Sequence, residues 1–337
     1  MAAPTSPIPD AGAARRVLVV GSFNVDHAWH APALPRPGET VAGSYATGPG
    51  GKGFNQAVAA ARAGAATGFI CALGDDAGGA LARTLAADES IAIQAASVDA
   101  PTGTAGIFVD AEGRNSIVIG AGANAGLAPA FVAAQAALFA KAGVVLVQLE
   151  SPRDAVLAAL AAGRASRATT ILNPAPAPVL DADAIAALLA AADVLTPNES
   201  EFAALLRARG VDVAADGVAG LGQAPMHALC RQLLPAGTVV VTLGAAGAFV
   251  SHPEGALRGD AAACYRVDAE AVVPVDTTGA GDAFSGALAA GLAGGGTRFA
   301  DAVRFAGRFA ALSTERQGAA SSMPRRDEVE ARFPGLL

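Results

Sequence analysis

The chain has 337 residues and a formal net charge of −7, enough length for one large α/β domain or two smaller ones with a sizeable core. That acidic balance argues against a general binder of nucleic acid or anionic membrane and points to small-molecule partners, although a local basic cleft is compatible with it. Alanine supplies much of the apolar content, and Gly, Pro or a charge interrupts every apolar stretch before about 18 residues, so no spanning helix is expected.

Residues 1–16 contain three prolines and no apolar segment of the kind a signal peptide needs. They read as a disordered tail on a cytoplasmic protein. Residues 17–22 then form a short apolar strand, and 53–63 a helix whose start carries Gly50-Gly51-Lys52-Gly53. Further strand patterns at 68–72, 143–149, 169–173, 194–196 and 238–242 alternate with Ala/Leu-rich helical stretches such as 129–141 and 182–192. This is an α/β pattern, a mostly parallel central sheet with helices on both faces. Segments near 28–48 and 100–120 depart from it: the first is rich in proline, and the second carries a hairpin signal at Asp110-Ala111-Glu112-Gly113. They are expected to form a small β-sheet lid on a single α/β domain spanning 17–337. Cys71, Cys230 and Cys264 are odd in number and lack metal-ligand spacing, which makes them buried free thiols.

The densest chemical signal is Val275-Asp276-Thr277-Thr278-Gly279-Ala280-Gly281-Asp282. Residues 271–275 read as a buried strand, and Phe284, Ala287, Leu288, Gly291 and Leu292 repeat at helical spacing, so Gly279 to Gly281 form a strand-to-helix turn and Asp282 begins a helix. Unpaired N–H groups of a first helical turn hold an anion, and glycines let a phosphate approach closely. A carboxylate among them can take a proton from an attacking hydroxyl, which points to phosphoryl transfer to an alcohol.

Seven other motifs stand in order along the chain: Gly21-Ser22-Phe23-Asn24-Val25-Asp26, Pro37-Gly38-Glu39-Thr40, Gly50-Gly51-Lys52-Gly53-Phe54-Asn55-Gln56-Ala57, Gln148-Leu149-Glu150-Ser151-Pro152, Asn173-Pro174-Ala175-Pro176, Thr196-Pro197-Asn198-Glu199-Ser200-Glu201 and Thr242-Leu243-Gly244. On these motifs the chain resembles the ribokinase-like (PfkB) carbohydrate kinase family from about residue 17 to 330. The Asn24/Asp26 pair, Gln-Leu-Glu-Ser-Pro and Asn-Pro-Ala-Pro resemble its ribose-phosphorylating branch. Gly50-Gly51-Lys52-Gly53 lacks the spacing of the common NTPase phosphate loop.

The resemblance implies ATP-dependent phosphorylation of D-ribose at O5. Asp282 would be the base and Gly279, Ala280 and Gly281 the anion hole. Ribose would be held by Asn24, Asp26, Gly51, Lys52, Asn55, Glu150 and Asp282, with Asn24 and Asp26 just beyond the first strand offering carbonyl and carboxylate oxygens. The nucleotide would lie against Asn198, Glu201, Thr242, Gly244, Gly247, Gly281 and Gly307. Mg²⁺ keeps waters and bridges nucleotide phosphates, so its contact with Asn198 and Glu201 is expected to be indirect, and the pair also has the spacing of a helix cap. A K⁺ ion would be held by Asp276, Thr278, Ser313, Arg316, Gly318 and Ser322, largely through backbone carbonyls. Gly307 stands where the family commonly has a histidine or asparagine beside the base, leaving Arg308 or Phe309 to compensate. The exposed β surface of the lid makes a homodimer through it the expected assembly. The alternatives are a family member acting on fructose, 2-keto-3-deoxygluconate or a nucleoside, and, from another class, a non-catalytic sugar-binding regulator. Gly21-Ser22-Phe23-Asn24 is not a dinucleotide-binding turn, which argues against a dehydrogenase.

Overall fold

A computed structural model describes residues 16–177, 181–295 and 297–335. The first part of the chain forms β1 (Arg16–Val20), β2 (Asn24–His30), β3 (Ser44–Gly50), α1 (Lys52–Arg62), β4 (Thr67–Leu73), α2 (Ala77–Asp88), β5 (Ala92–Ser97), β6 (Gly103–Val109) and β7 (Asn115–Gly120). The middle forms α3 (Pro129–Ala133), α4 (Ala136–Phe139), β8 (Ala142–Val147), α5 (Arg153–Ala165), β9 (Thr169–Leu172), α6 (Ala182–Ala190), β10 (Val194–Leu195), α7 (Glu199–Ala208) and α8 (Gln223–Leu233). The last part forms β11 (Thr238–Thr242), β12 (Ala248–Ser251), β13 (Cys264–Val267), α9 (Ala280–Ala293), α10 (Phe299–Ser313) and α11 (Arg326–Arg332).

A nine-stranded sheet runs in the order β13-β12-β11-β10-β9-β8-β1-β4-β5. It is parallel from β5 to β11, and only β12 and β13 pair antiparallel at one edge. Side-chain alternation divides the apolar strands between two cores. Val17, Val19, Val144 and Leu146 face the helices α1, α9 and α10, whereas Leu18, Val20, Val145 and Val147 face α5, α6, α7 and α8. The strands leave β1 in opposite directions, β4 and β5 on one side and β8 onward on the other. β1 and β8 therefore mark the point where ligand crevices open outside the carboxyl ends of an α/β sheet.

A second, four-stranded sheet has the order β3-β2-β6-β7. It holds both segments expected to leave the α/β pattern, and it extends them to include Asn24 and Asp26. These two residues therefore lie on β2 itself, paired with Gly50 and Gly48 of β3.

Three expectations need correction. Residues 271–275 form no strand, and Val273 and Val275 are 80% and 61% exposed. The N–H groups of Val275 and Asp276 bond the Thr314 carbonyl at the end of α10 instead of a strand neighbour. The stretch 129–141 breaks into α3 and α4 around Ala134 and Gln135. Cys264 is only half-buried, whereas burial pushes the Cys71 and Cys230 thiols up to about 12. Of the N-terminal tail, Arg16 opens β1 and residues 1–15 lie outside the described residues.

The α9 helix is held against α1 by close approach at Gly286, where a Cβ would sit 2.5 Å from the Gln56 carbonyl oxygen and 2.6 Å from Ala59 Cβ. Alanine is worth about 1 kcal/mol over glycine inside a helix, but overpacking of this kind costs about 1–3 kcal/mol. The clash with backbone should win. Gly286→Ala is expected to lower the midpoint of a urea melt and to reduce turnover, because Asp282 stands one helical turn away. A midpoint equal to or above that of the parent would contradict this packing.

Candidate active site

The carboxyl ends of β1, β8, β9, β10 and β11 converge beneath the first turns of α1 and α9. At β1 the chain crosses close under α1: Phe54 N–H donates to the Ser22 carbonyl at 2.9 Å, and a Cβ on Gly53 would lie 2.4 Å from Ser22 N. Only glycine lets the helix start sit there. Glu150, just past β8, accepts through one oxygen from Ser22 Oγ at 2.6 Å and from Lys52 N–H at 2.9 Å. Its carboxylate thus ties two expected sugar-binding segments together while its second oxygen stays available.

Asp26 is packed against Gly50, where a Cβ would stand 2.1 Å from its carboxylate. Burial, followed by the neighbouring charges of Glu150 and Asp282, raises its pKa to about 7. The Asn24 carbonyl, expected to face a ligand, is already engaged on one side by the protein. Asn124 Oδ1 accepts from Phe23 N–H at 3.0 Å and its Nδ2 donates to the Phe23 carbonyl at 2.9 Å, which fixes its orientation. The same Nδ2 donates to Asn24 Oδ1 at 2.9 Å. Asn24 keeps its amide N–H groups and the second lone pair of its carbonyl to offer.

Gly279 caps α9 at a φ of 76°, a left-handed conformation that favours glycine. Asp282 follows in the first helical turn and is 5% exposed. One carboxylate oxygen accepts from Asn55 Nδ2 at 3.0 Å, the other from Gln56 Nε2 at 2.8 Å. Asn55 Oδ1 is buried without a partner among the described residues, which suits it to receive a hydroxyl. The Ala280 N–H departs from its expected role: it bonds the Thr277 carbonyl at 3.2 Å, because the tight turn folds back on itself. The N–H groups of Gly279, Gly281 and Asp282 have no such backbone partner among the described residues and are available to an anion.

A cleft joins this turn to Lys52, Asn173, Asn198, Glu201 and Thr242. Burial works against the Lys52 charge, but the carboxylates of Asp282, Glu150 and Glu201 more than offset it and raise its pKa. Asn198 and Glu201 form a reciprocal capping box at α7, each side chain accepting from the other's N–H at 2.9 Å. Burial raises the Glu201 pKa, opposed by the Asn198 N–H and Lys52 and reinforced by Asp282 and Glu199. Among the described residues no group of three or more His, Cys, Asp and Glu could hold a metal. A divalent ion such as Mg²⁺ typically keeps several waters and bridges substrate phosphates, which suits a site that offers Glu201 as a carboxylate.

Thr242 is tied to the Pro197 carbonyl through its N–H at 2.9 Å, which sets β11 beside the α7 cap. Gly244 borders open space, but a Cβ on Gly247 would lie 2.0 Å from the Val267 carbonyl, so Gly247 closes the turn against β13. Gly307 lies midway along α10 with nothing within 4 Å of where a Cβ would be. Neither neighbour compensates for its missing side chain. Arg308 donates to Glu270 at 2.6 Å and to the Phe333 carbonyl at 3.0 Å, and Phe309 lies in the core.

The expected cation loops meet. Asp276 accepts from Thr278 N–H and Gly318 N–H, both at 2.9 Å. Burial opposes its charge, but these hydrogen bonds prevail and lower its pKa. The hydroxyls of Ser313 and Ser322 turn back to the Ala310 and Ala319 carbonyls, each at 2.8 Å, and the Arg316 guanidinium pairs with Glu328. Arg316 can therefore offer only backbone oxygen, whereas the two serines keep hydroxyl lone pairs beside their carbonyls. A carboxylate with carbonyls is a hard-oxygen set that fits K⁺.

Four amide side chains with no role assigned from sequence support the site: Asn124, Gln56, Gln148 and Asn173. The last three stand inside the quoted motifs, so their position was visible but their task was not. Asn124 lies in none of them, and only the fold brings it to β2.

The family model described as pfkB family carbohydrate kinase matches residues 14–326. The Haemophilus influenzae ribokinase is 37% identical over 319 residues, covering 94% of this chain and 97% of its own. Among solved structures, the ribokinase of Giardia lamblia superposes with a TM-score of 0.83 at 30% identity, covering 95% of this chain and 99% of that one. The Arabidopsis thaliana ribokinase complexed with ribose and ATP has a TM-score of 0.80 at 29% identity, covering 96% and 99%. The chain belongs to the pfkB family of carbohydrate kinases.

Proposed function

We propose that this chain transfers the γ-phosphoryl group of ATP to the O5 hydroxyl of D-ribose, giving ribose 5-phosphate and ADP. The observation that carries the proposal is the Asp282 carboxylate beside the free N–H groups of the α9 turn, with Asn24, Asp26, Asn55 and Glu150 on one side and Asn198, Glu201 and Thr242 on the other. The full-length likeness to ribokinases, including one complexed with ribose and ATP, supports that substrate pair.

In this reading ribose is held by Asn24 N–H groups, by Asp26 and Glu150 as acceptors, by the Gly51 and Lys52 turn and by Asn55 Oδ1. Asp282 takes the O5 proton, and the N–H groups of Gly279, Gly281 and Asp282 face the transferring group. Gly244, Gly281 and Gly307 border the nucleotide, Gly247 shapes the turn and Ala280 packs within it. Asn198 and Glu201 would hold Mg²⁺ through water, and Asp276 with carbonyls of residues 278 and 313–322 would hold K⁺. When bound, these ions neutralise phosphate charge and stiffen the anion turn. Residues 17–337 act as one kinase domain in which the small sheet is a lid that excludes water from the transfer. The small sheet exposes Trp29, Tyr45 and Val118 on one face and Ile117 and Ile119 on the other, apolar surface that supports a homodimer through the lid. No described helix is long and apolar enough to cross a membrane.

Asp282→Asn is expected to lower kcat about 10²–10⁴-fold, with ribose still bound in a calorimetric titration. Turnover close to the parent's would sink the assignment of the base. A second expectation follows from Asp26, whose pKa rises from 3.8 to about 7 on folding. A carboxyl with a raised folded pKa binds more protons folded than unfolded between those values, so its contribution to stability falls as pH rises through that window. The penalty is fully present above about 7 and absent below the unfolded value. Asp26→Asn should therefore raise the thermal midpoint by about 2–4 °C at pH 8, with a smaller gain at pH 5, while weakening ribose binding. An equal gain at both pH values would remove the electrostatic explanation.

A further inference from the structure

Two buried glutamines outside the expected site residues bear directly on Asp282. Gln56 and Gln148 are both 0% exposed. A carboxylate only accepts hydrogen bonds, so the contact between Asp282 Oδ1 and Gln56 requires the glutamine to present Nε2, at 2.8 Å. That choice turns Gln56 Oε1 the other way, where it accepts from Gln148 Nε2. The second hydrogen on Gln56 Nε2 goes to Asn173 Oδ1 at 2.9 Å, and Asn173 Nδ2 donates to the Thr196 carbonyl at 2.7 Å. The amides at the ends of β8 and β9 thus meet on one side chain of α1.

We infer that Gln148 and Gln56 form a directed amide relay that aims the Asp282 carboxylate, Gln56 acting as a positioning residue and Gln148 fixing which way Gln56 points. The direction has a measurable cost in the fold. Gln148 Oε1 is buried with no partner among the described residues, an orphaned acceptor of a kind that costs about 1–3 kcal/mol. It occupies the space beside Gly21, where a Cβ would stand 2.1 Å from it. Reversing the Gln148 amide would set its Oε1 against Gln56 Oε1, two acceptors in contact. The orphan is therefore the lesser penalty as long as Gln56 must donate to the carboxylate.

Consecutive residues of α1 hold the two oxygens of Asp282, Asn55 one and Gln56 the other. The remaining lone pair directions are the ones left for a substrate proton. A relay of aligned amides also polarises each member, which strengthens the last hydrogen bond to the charged group. The inference rests on Asp282 as the base.

The test compares Gln56→Met and Gln148→Met with the parent enzyme in a coupled ADP-release assay with ribose and ATP. Methionine keeps the volume and removes the donor. For Gln56→Met, kcat should fall roughly 10- to 100-fold, the worth of one charge-assisted hydrogen bond, with the KM for ribose and for ATP within about threefold. Losing a bond to the carboxylate form should also move the acid limb of the kcat profile upward. Asp26, Lys52 and Glu201 also interact with Asp282, so the limb is read as a difference between variant and parent. Gln148→Met should change the same quantities in the same direction, but less. Either folded variant with an unchanged kcat and pH profile overturns the relay. So does a loss in which kcat, both KM values and the thermal midpoint worsen together, or failure of both variants to fold, since each assigns the pair to stability. A parent enzyme silent on ribose would instead overturn the proposed reaction, which separates the two failures.

Discussion

Four carboxylates crowd one cleft around a single lysine, and the rest of the site is organised by that electrostatic problem. Asp26, Glu150, Glu201 and Asp282 interact with Lys52 or with each other. Burial and neighbouring like charges raise the pKa values of Asp26 and Glu201. The molecule meets the problem differently at each position. Asp282 receives two side-chain amides and the positive end of α9; Glu150 receives a hydroxyl and a backbone N–H; Glu201 is held in a helix cap. Asp26 has no comparable set of donors among the described residues, and its pKa is pushed up to about 7. A proposed sugar site is thus built partly by tolerating an unstable charge, a familiar exchange of stability for function.

The sheet makes this arrangement possible. Parallel strands that spread in both directions from β1 and β8 bring their carboxyl ends to one line, and the two helices over that line, α1 and α9, supply the anion turn and its supports. Their close contact at Gly286 sets the distance between Asp282 and the two amides that hold it. On the other side of the cleft, Thr196 Oγ1 and Ser285 Oγ lie 3.2 Å apart, joining α9 to the end of β10. Asp282, the proposed base, is therefore fixed from both sheet and helix, a rigid support of the kind that positioning catalysis needs.

Much of this was legible in the residues. Strands such as 238–242 and the alternation of helix and strand followed from periodicity, and the glycine-rich turns stood out because close approach demands glycine at Gly53 and Gly279. Local pattern failed where pairing depends on distant partners. Residues 271–275 have the composition of a buried strand, yet lie exposed beyond the sheet edge and are tied to Thr314. The orientation of an amide was equally hidden. Asn24 looked like a wholly free side chain until Asn124, a hundred residues away, engaged one side of its carbonyl, and Arg308 looked available until Glu270 and Phe333 claimed it. Such assignments depend on which groups are already satisfied, a property of the folded whole.

The central claim is that Asp282 stands between the acceptor sugar and the phosphoryl donor in one cleft. A crystal structure with D-ribose and a non-hydrolysable ATP analogue tests it directly. The account predicts the O5 hydroxyl within about 2.6–3.2 Å of the Asp282 carboxylate and the terminal phosphate over the N–H groups of Gly279, Gly281 and Asp282. A sugar bound with O5 turned away from Asp282, or a terminal phosphate seated away from the α9 turn, would contradict it.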